Sequence, residues 1–309
     1  MDILNSITEL KNEKNAIILA HYYQLPEVQE IADFVGDSLD LSLKAAQTDA
    51  EIIVFAGVHF MAETAKILNP TKKVLVPDLN AGCSLADSCP ADKLNDFINK
   101  NPGHIVVSYI NCSAQVKAIS DIICTSSNAL QIIESIPEDK SIIFAPDKNL
   151  GRYLEIKSGR EILKWDGTCF VHQEFSSERI KEIKQKHSEI KVIAHPECSS
   201  YMLEHADFVG STSALLNFSK TDSSPNYIVA TETGLIYQMK KANPEKKFIP
   251  APVSESCVAC QECPYMKKNT IQKVLDCLKD EKPELLMEES LRIKALTAVE
   301  NMLKFGVRK

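Results

Sequence analysis

The sequence predicts an α/β fold built from three similar units, and three observations lead to this prediction. Apolar runs of strand length, each ending in polar residues, occur three times, at 15–23, 104–112 and 191–198. Each is followed by a second shared phrase, and the aspartates that open these phrases, Asp33, Asp121 and Asp207, are 88 and 86 residues apart. The phrase NPTKKVLVP (69–77) also resembles NPEKKFIPA (243–251), 174 residues later. Consistent order and spacing indicate a triplication.

Each unit of about 87 residues alternates apolar strand phrases with amphipathic helical stretches such as AETAKIL and SERIKEIKQK. This alternation favours parallel strands joined by right-handed helical crossovers. We therefore expect three three-layer (αβα) sandwich domains with parallel sheets, related by a pseudo-threefold axis around a central active site. The expected domains are 1–88 with 265–309, then 89–174, then 175–264.

Two further helices are predicted after the third unit, at 269–280 and 283–305, and we expect them to pack against the first unit. Pro283 suits the first position of the last helix, where its missing N–H costs nothing.

Composition narrows the classes of function. Of 309 residues, 44% are apolar and 25% charged, as in ordinary globular proteins, and the net charge of −7 argues against nucleic-acid or anionic-membrane partners. The N-terminus has no basic segment before an apolar one, and no apolar run approaches about 20 residues. We therefore expect a cytoplasmic protein without a membrane anchor. Ten cysteines in such a chain favour ligands, redox thiols or buried thiols over a disulfide framework.

Polar residues follow the first strand of each unit. In open parallel sheets, ligands bind at the carboxyl ends of the strands. We therefore expect three pairs of side chains to converge on one pocket: His21 with Tyr23, Tyr109 with Asn111, and His195 with Glu197.

The second phrase of each unit places hydroxyl side chains before a predicted helix. The relevant residues are Ser38 in the first unit, Ser126 in the second, and Ser211 and Thr212 in the third. Such residues commonly cap helices by accepting hydrogen bonds from free backbone amides. Three helix starts around one pocket would also favour an anion such as phosphate or carboxylate.

The cysteines suggest a metal cluster with one thiolate from each unit. Cys83 and Cys169 are 86 residues apart, and a Cys257-x-x-Cys260-x-x-Cys263 triplet follows at roughly the third repeat position. The repeat spacing selects Cys257 as the third ligand, whereas the CPYM context selects Cys263. A partial ferredoxin motif, a four-cysteine zinc site and a redox CxxC pair all remain compatible with the triplet. Cys112, Cys124, Cys198 and Cys277 are best explained as buried packing residues.

A set of phrases in fixed order resembles the quinolinate synthase family of NAD biosynthesis: LAHYYQ, DFVGDSL, NAGCSLADSC, SYINCSAQVKA, CTSSNA, PDKNLGRY, HPEC, GSTS and CPYMKKN. They run from residue 19 to about 269. The resemblance implies three helix–sheet–helix domains around a central site. It also implies a transferase that condenses iminoaspartate with dihydroxyacetone phosphate to quinolinate, releasing phosphate and two waters.

The resemblance further implies a 4Fe-4S cluster held by Cys83, Cys169 and Cys263, with one iron left open as a Lewis acid. Iminoaspartate would come from an L-aspartate oxidase or an aspartate dehydrogenase. Cys257 and Cys260 match cysteines that some members have and others lack, and the pair is a candidate for a reversible disulfide near the ligand.

Family positions also imply roles in catalysis and substrate binding. Glu197 is implied as the proton-transfer residue, with His21, Tyr23 and His195 beside it in the catalytic set. Substrate-binding roles are implied for His21, Ser38, Tyr109, Asn111, Ser126, His195, Glu197, Ser211 and Thr212. His172 either orients the cluster or the substrate, or has a structural role.

Two other classes of protein fit parts of the sequence. A non-catalytic iron–sulfur carrier explains the thiols but not the repeated anion-binding helix starts, and it would cycle reversibly in a redox titration. A zinc-stabilised small-molecule binding protein explains both thiols and pocket, and metal analysis separates it from an iron protein. The ordered set of motifs favours the synthase.

Overall fold

A computed structural model describes residues 2–254 and 261–306. In this part of the chain the strands form three separate four-stranded sheets, and every strand pair in them is parallel. The strands are β1 Ala16–His21, β2 Phe34–Gly36, β3 Ile52–Ala56, β4 Lys73–Leu75, β5 Ile105–Tyr109, β6 Ile122–Cys124, β7 Ile142–Ala145, β8 Ile162–Lys164, β9 Lys191–Ala194, β10 Phe208–Val209, β11 Asn226–Ala230 and β12 Lys247–Pro250.

The three sheets share one topology. Their strand orders are β2-β1-β3-β4, β6-β5-β7-β8 and β10-β9-β11-β12, so the first strand of each unit lies inside its sheet between the second and third. The predicted α/β fold with three similar units is confirmed.

Helices connect and flank the strands. They are α1 Ile3–Glu13, α2 Pro26–Ile31, α3 Ser38–Gln47, α4 His59–Leu68, α5 Ser84–Asp87, α6 Ala91–Lys100, α7 Ala114–Lys117, α8 Ala129–Ser135, α9 Lys148–Ser158, α10 Phe170–Gln173, α11 Ser177–Lys186, α12 Ser200–Leu203, α13 Thr212–Thr221, α14 Gly234–Ala242, α15 Ile271–Asp280 and α16 Glu289–Leu303, with a short 3₁₀ helix at Met266–Lys268. No helix in the described ranges combines the length and apolarity needed to cross a bilayer.

The strands form where the sequence is continuously apolar, because both faces of each sheet are covered by helices. In β3, for example, all five residues from Ile52 to Ala56 are buried. The three predicted first strands are present as β1, β5 and β9. The first two end on predicted site residues, His21 and Tyr109, whereas β9 ends one residue before His195.

One aspartate in each unit ties its second strand to its first. Asp33, Asp121 and Asp207 stand just before β2, β6 and β10. Their carboxylates accept the backbone N–H of Ile18, Val106 and Val192, at 2.8, 2.8 and 2.7 Å. Their own backbone N–H groups donate to the carbonyls of those same residues. The aspartates recognised by their spacing therefore fix strand register.

The two C-terminal helices pack on different units. Helix α15 lies against α1, α2 and β3 of the first unit, whereas α16 also lies against α7 and β6 of the second. The expected helix start at Pro283 was wrong, because α16 begins at Glu289. The chain is extended at Glu284, which bridges to Leu75, and the Pro283 carbonyl accepts the Val76 N–H. The finer domain boundaries stay a prediction.

We predict that Asp121→Ala lowers the free energy of unfolding by about 1–3 kcal/mol, since the Val106 N–H would lose its carboxylate acceptor. Asp121→Asn keeps an acceptor oxygen and should lose less. Urea unfolding measures both. Asp96→Ala, on the exposed face of α6, is the matched control and should stay within about 0.5 kcal/mol. An equal effect of Asp121→Ala and Asp96→Ala would contradict the proposed role in register.

Candidate active site

The carboxyl ends of the three sheets meet at one cavity, and all the predicted site residues except Ser211 line it. They are His21, Tyr23, Ser38, Cys83, Tyr109, Asn111, Ser126, Cys169, His172, His195, Glu197, Thr212 and Cys263. Each unit supplies several of these side chains. The convergence expected from the triplication therefore occurs, whereas the role of each residue stays a prediction.

The turn after β9 places His195 and Glu197 in the cavity. Strand alternation does not set their direction, because β9 ends at Ala194. The Glu197 N–H instead donates to Nδ1 of His195 at 3.4 Å, which folds the chain back at this point. Cys198 is fully buried, packs in the core of the third unit, and places its sulfur 3.4 Å from the Ala230 carbonyl.

Glu197 is a buried carboxylate, 2% exposed, at the centre of the site. One of its oxygens, Oε2, lies 2.6 Å from Nδ1 of His172 and 3.8 Å from Nδ1 of His195. Burial raises the pKa of Glu197, but His172, His195 and Tyr109 outweigh it and lower the pKa to about 2. The group is therefore ionised at neutral pH and can accept a proton.

Two of the histidines and both tyrosines that line the cavity are uncharged at neutral pH. Burial lowers the pKa of His195 to about 3 and that of His21 to about 4. Burial, followed by the charge of Glu197, raises the pKa values of Tyr23 and Tyr109 well above the ordinary value. The two imidazoles can thus accept or donate hydrogen bonds as neutral rings, and the two phenols keep their protons.

A chain of short polar contacts runs behind the cavity. From Glu197 it passes to His172, whose Nε2 lies 3.0 Å from Oγ1 of Thr231. Thr231 Oγ1 is 2.7 Å from the Tyr23 hydroxyl, which lies 3.1 Å from Oγ1 of Thr212. The chain connects groups from all three units and links a base to a phenol across the site.

The hydroxyl phrases do precede helices, as predicted. Ser211 caps α13 by accepting the Ala214 N–H, and Asp37 caps α3 by accepting from Leu39 and Asp40. Ser38, Ser126 and Thr212 instead face the cavity. Ser211 therefore caps the helix, and its neighbour Thr212 lines the cavity.

Hydrogen bonds between units hold these walls together. Ser127 donates to Asp37 at 2.8 Å, and Ser126 lies 3.1 Å from Nε2 of His195. Oδ1 of Asn111 is buried in the cavity wall and has no hydrogen-bond partner within residues 2–254 and 261–306. Such an atom fits a site that is completed by a polar ligand.

The three thiols that line the cavity are suited to hold a metal cluster. Backbone N–H groups of the turn that follows each cysteine act to lower its pKa: those of Leu85 and Ala86 for Cys83, of His172 for Cys169, and of Tyr265 and Met266 for Cys263. Burial nevertheless raises their pKa values, to about 12 for Cys83 and about 11 for Cys263. Without a metal these thiols stay protonated.

A second arrangement of donor atoms shares one of these thiols. Ligand atoms of Cys169, His172 and Glu197 lie within 4.8 Å of one another. Only one of these three donors is a sulfur, and sulfur is the usual protein ligand of an iron–sulfur cluster, so the all-thiol set fits a cluster better. Cys257 and Cys260, whose role was left open, lie outside the described residues.

Four polar residues of the site were not recognised in the sequence as functional. Asp147 accepts the Cys169 N–H at 2.8 Å, Thr231 completes the contact chain, and Glu232 pairs with Lys267 at 2.7 Å. Asp147 and Lys267 lie inside phrases that carried the family resemblance, PDKNLGRY and CPYMKKN. Thr231 and Glu232 follow β11, as His195 follows β9, so the strand-end rule could have found them.

Comparison with known proteins gives consistent results. The family model of the Quinolinate synthetase A protein matches residues 5–304. The quinolinate synthase of Microcystis aeruginosa is 58% identical, covering 99% of this chain and 95% of its own. Those of Thermosynechococcus vestitus and Chloroherpeton thalassium are each 55% identical, covering 99% of this chain and 96% and 95% of their own.

We predict that Thr231→Val lowers the free energy of unfolding by about 1–3 kcal/mol, because the buried Nε2 of His172 would lose its partner. Thr231→Ser keeps the hydroxyl and serves as the matched control, with a smaller loss. Thermal and urea unfolding of both variants measure the difference. Equal stability of the valine and serine variants would mean that the contact chain contributes nothing.

Proposed function

The chain belongs to the Quinolinate synthetase A protein family, and from this premise we infer that it is an enzyme that forms quinolinate in NAD biosynthesis. We propose that it condenses iminoaspartate with dihydroxyacetone phosphate, releasing phosphate and two waters. The observation that supports this best is the cavity itself, where thiols from three units face a buried, ionised carboxylate.

We propose that Cys83, Cys169 and Cys263 hold a 4Fe-4S cluster and leave one iron without a protein ligand. A cluster of this kind, once bound, supplies a Lewis acid that eases the loss of hydroxide from a substrate. The backbone N–H groups directed at the three sulfurs would stabilise their thiolate forms. The donor set fits a cluster because sulfur is its usual protein ligand.

The anionic substrate groups would bind at the three polar walls. Ser38, Ser126 and Thr212 stand at or near helix starts, where hydroxyls and free amides favour phosphate and carboxylate oxygens. Asn111, Tyr109 and the neutral His21 and His195 would bind carbonyl, hydroxyl and carboxylate groups. Ser211 would support this wall indirectly by capping α13.

Glu197 would move the protons. Condensation and ring closure require imine–enamine tautomerisation, carbonyl isomerisation and loss of water, each with a proton transfer. The Glu197 carboxylate, whose pKa lies at about 2, is ionised and can take up a proton, but it is a weak base, so it would hold that proton only transiently. The His172 imidazole lies 2.6 Å away. Tyr23, which reaches His172 through Thr231, would complete the catalytic set with His21 and His195.

Iminoaspartate hydrolyses readily, so an L-aspartate oxidase or an aspartate dehydrogenase would supply it near this enzyme. The cytoplasmic location and the absence of nucleic-acid and membrane partners stay predictions from the sequence.

The test is an anaerobic assay for quinolinate from the two substrates, with iron and sulfide counted in the same sample. Serine replacement of Cys83, Cys169 or Cys263 should abolish both the cluster absorption and the product, because each removes one of three thiolates. A double serine variant at Cys257 and Cys260 should keep the cluster. Loss of the cluster in the double variant, with retention in Cys263→Ser, would move the third ligand to the repeat position, Cys257.

For Glu197, the informative change is Glu197→Gln, which keeps size and hydrogen bonding but removes the proton acceptor. We expect full cluster content and a turnover lower by about 100-fold or more, within the usual range for acid–base catalysis. Cys198→Ala, one residue away and outside the cavity wall, is the control and should keep most activity. Near-normal turnover of Glu197→Gln at full cluster occupancy would exclude the catalytic assignment.

A further inference from the structure

Glu232 is a buried carboxylate that the chemistry described above does not use. It follows β11, is 1% exposed, and lines the cavity. Its Oε1 accepts the Cys263 N–H at 3.1 Å and lies 2.7 Å from Nζ of Lys267. Its Oε2 accepts the Gly234 N–H at 2.7 Å. Both oxygens are therefore fully engaged, which is how a buried charge is tolerated.

Lys267 continues this contact into the first unit. Its Nζ also donates to the backbone carbonyl of Tyr23 at 2.7 Å. One carboxylate and one ammonium thus connect the backbone of a thiol residue, Cys263, to the backbone of Tyr23, more than 200 residues earlier in the chain. The cation also lies close enough to His21 to contribute to the lowering of its pKa, after burial.

The backbone at Tyr22 and Tyr23 is packed tightly against the start of α14, so it cannot move independently of that helix. A Cβ atom on Gly234 would lie 2.8 Å from both the Tyr22 carbonyl oxygen and the Tyr23 Cα, so α14 begins directly against this segment. Gln29 Nε2 donates to the carbonyls of Tyr22 and Gly234, at 2.9 and 3.1 Å. A shift of the Cys263 segment would therefore be transmitted to Tyr23.

We propose that Glu232 and Lys267 form a positioning pair that couples the Cys263 ligand segment to the substrate-binding segment at Tyr23. Binding of a cluster by Cys263 fixes the Cys263 backbone, and the pair carries that order to Tyr23 and His21. This inference rests on the proposed role of Cys263. On this proposal, the part of the cavity wall that the first unit contributes is fully ordered only when the cluster is bound.

The alternative is that the pair only stabilises the fold, and the two roles differ in what they change. A structural pair would lower stability in every state of the protein. A positioning pair makes the order of residues 20–29 depend on the cluster. Hydrogen exchange of that segment, measured with and without the cluster, separates the two roles, because only a positioning pair makes its protection depend on the cluster. The measurement is also independent of catalytic activity.

The test compares wild type, Lys267→Met, the double variant Glu232→Gln/Lys267→Met, and the control Lys273→Met. Removing only the lysine leaves a buried carboxylate without its cation, which can unfold the protein, whereas the double variant removes both charges. Lys273 makes a pair of similar length but greater exposure with Asp78, at 2.6 Å, and also donates to a backbone carbonyl, that of Lys268. It is therefore a matched control away from the cavity.

In wild type and in Lys273→Met, anaerobic insertion of the cluster should slow exchange in residues 20–29. In the double variant the protection factor gained on cluster insertion should be about tenfold smaller, the change expected for the loss of one hydrogen bond to a charged group. The KM for the two substrates should rise more than kcat falls. Equal slowing in the double variant and the control, with a loaded and active wild type, would overturn the proposal. A wild type without cluster or product would instead contradict the proposed function.

Discussion

The register between the first two strands of each unit is the constraint on which the site depends. One aspartate per unit fixes it by engaging both the N–H and the carbonyl of a residue in the first strand. Because side chains on a strand alternate between faces, a slip of one residue would move each side chain to the opposite face of the sheet and into a different helix layer. It would also move the carboxyl end of the strand, and with it the residues that reach the cavity. The three aspartates thus set the geometry of the active site from a distance.

A second constraint is electrostatic. An ionised carboxylate at 2% exposure is costly unless neighbouring groups stabilise it. Glu197 obtains this stabilisation from His172, which belongs to a different unit, and His172 is held in turn by Thr231 and Tyr23. Removing any unit would leave buried polar groups without partners. The three sandwiches are therefore energetically dependent on one another, although each has its own sheet.

The sequence predicted the features that repeat and missed those that do not. Apolar runs and evenly spaced aspartates identified the sheets, and the ends of the first strands identified His21, Tyr109 and Glu197. Thr231 and Glu232 were missed because only the ends of the first strands were considered, whereas these two residues follow β11, the third strand of its unit. The contact of Thr231 with Tyr23, 208 residues away, has no local sequence signal. The start of α16 was misplaced because Glu284 pairs with Leu75 in extended form, a tertiary contact that overrides the local preference of Pro283. Ser211 was assigned to the pocket because a capping hydroxyl and a ligand-binding one have the same local sequence.

The position of α16 affects how the protein is made on the ribosome. This helix follows every described strand in the chain, yet it packs between α4 of the first unit and α7 of the second. The buried Asn128 amide, in the second unit, donates to the carbonyls of Met302 and Phe305 at its end. The first two sandwiches therefore emerge and fold while the surface that α16 will cover is still open. Apolar surface exposed during synthesis promotes aggregation, so the surface beneath α16 is vulnerable until that helix has left the ribosome.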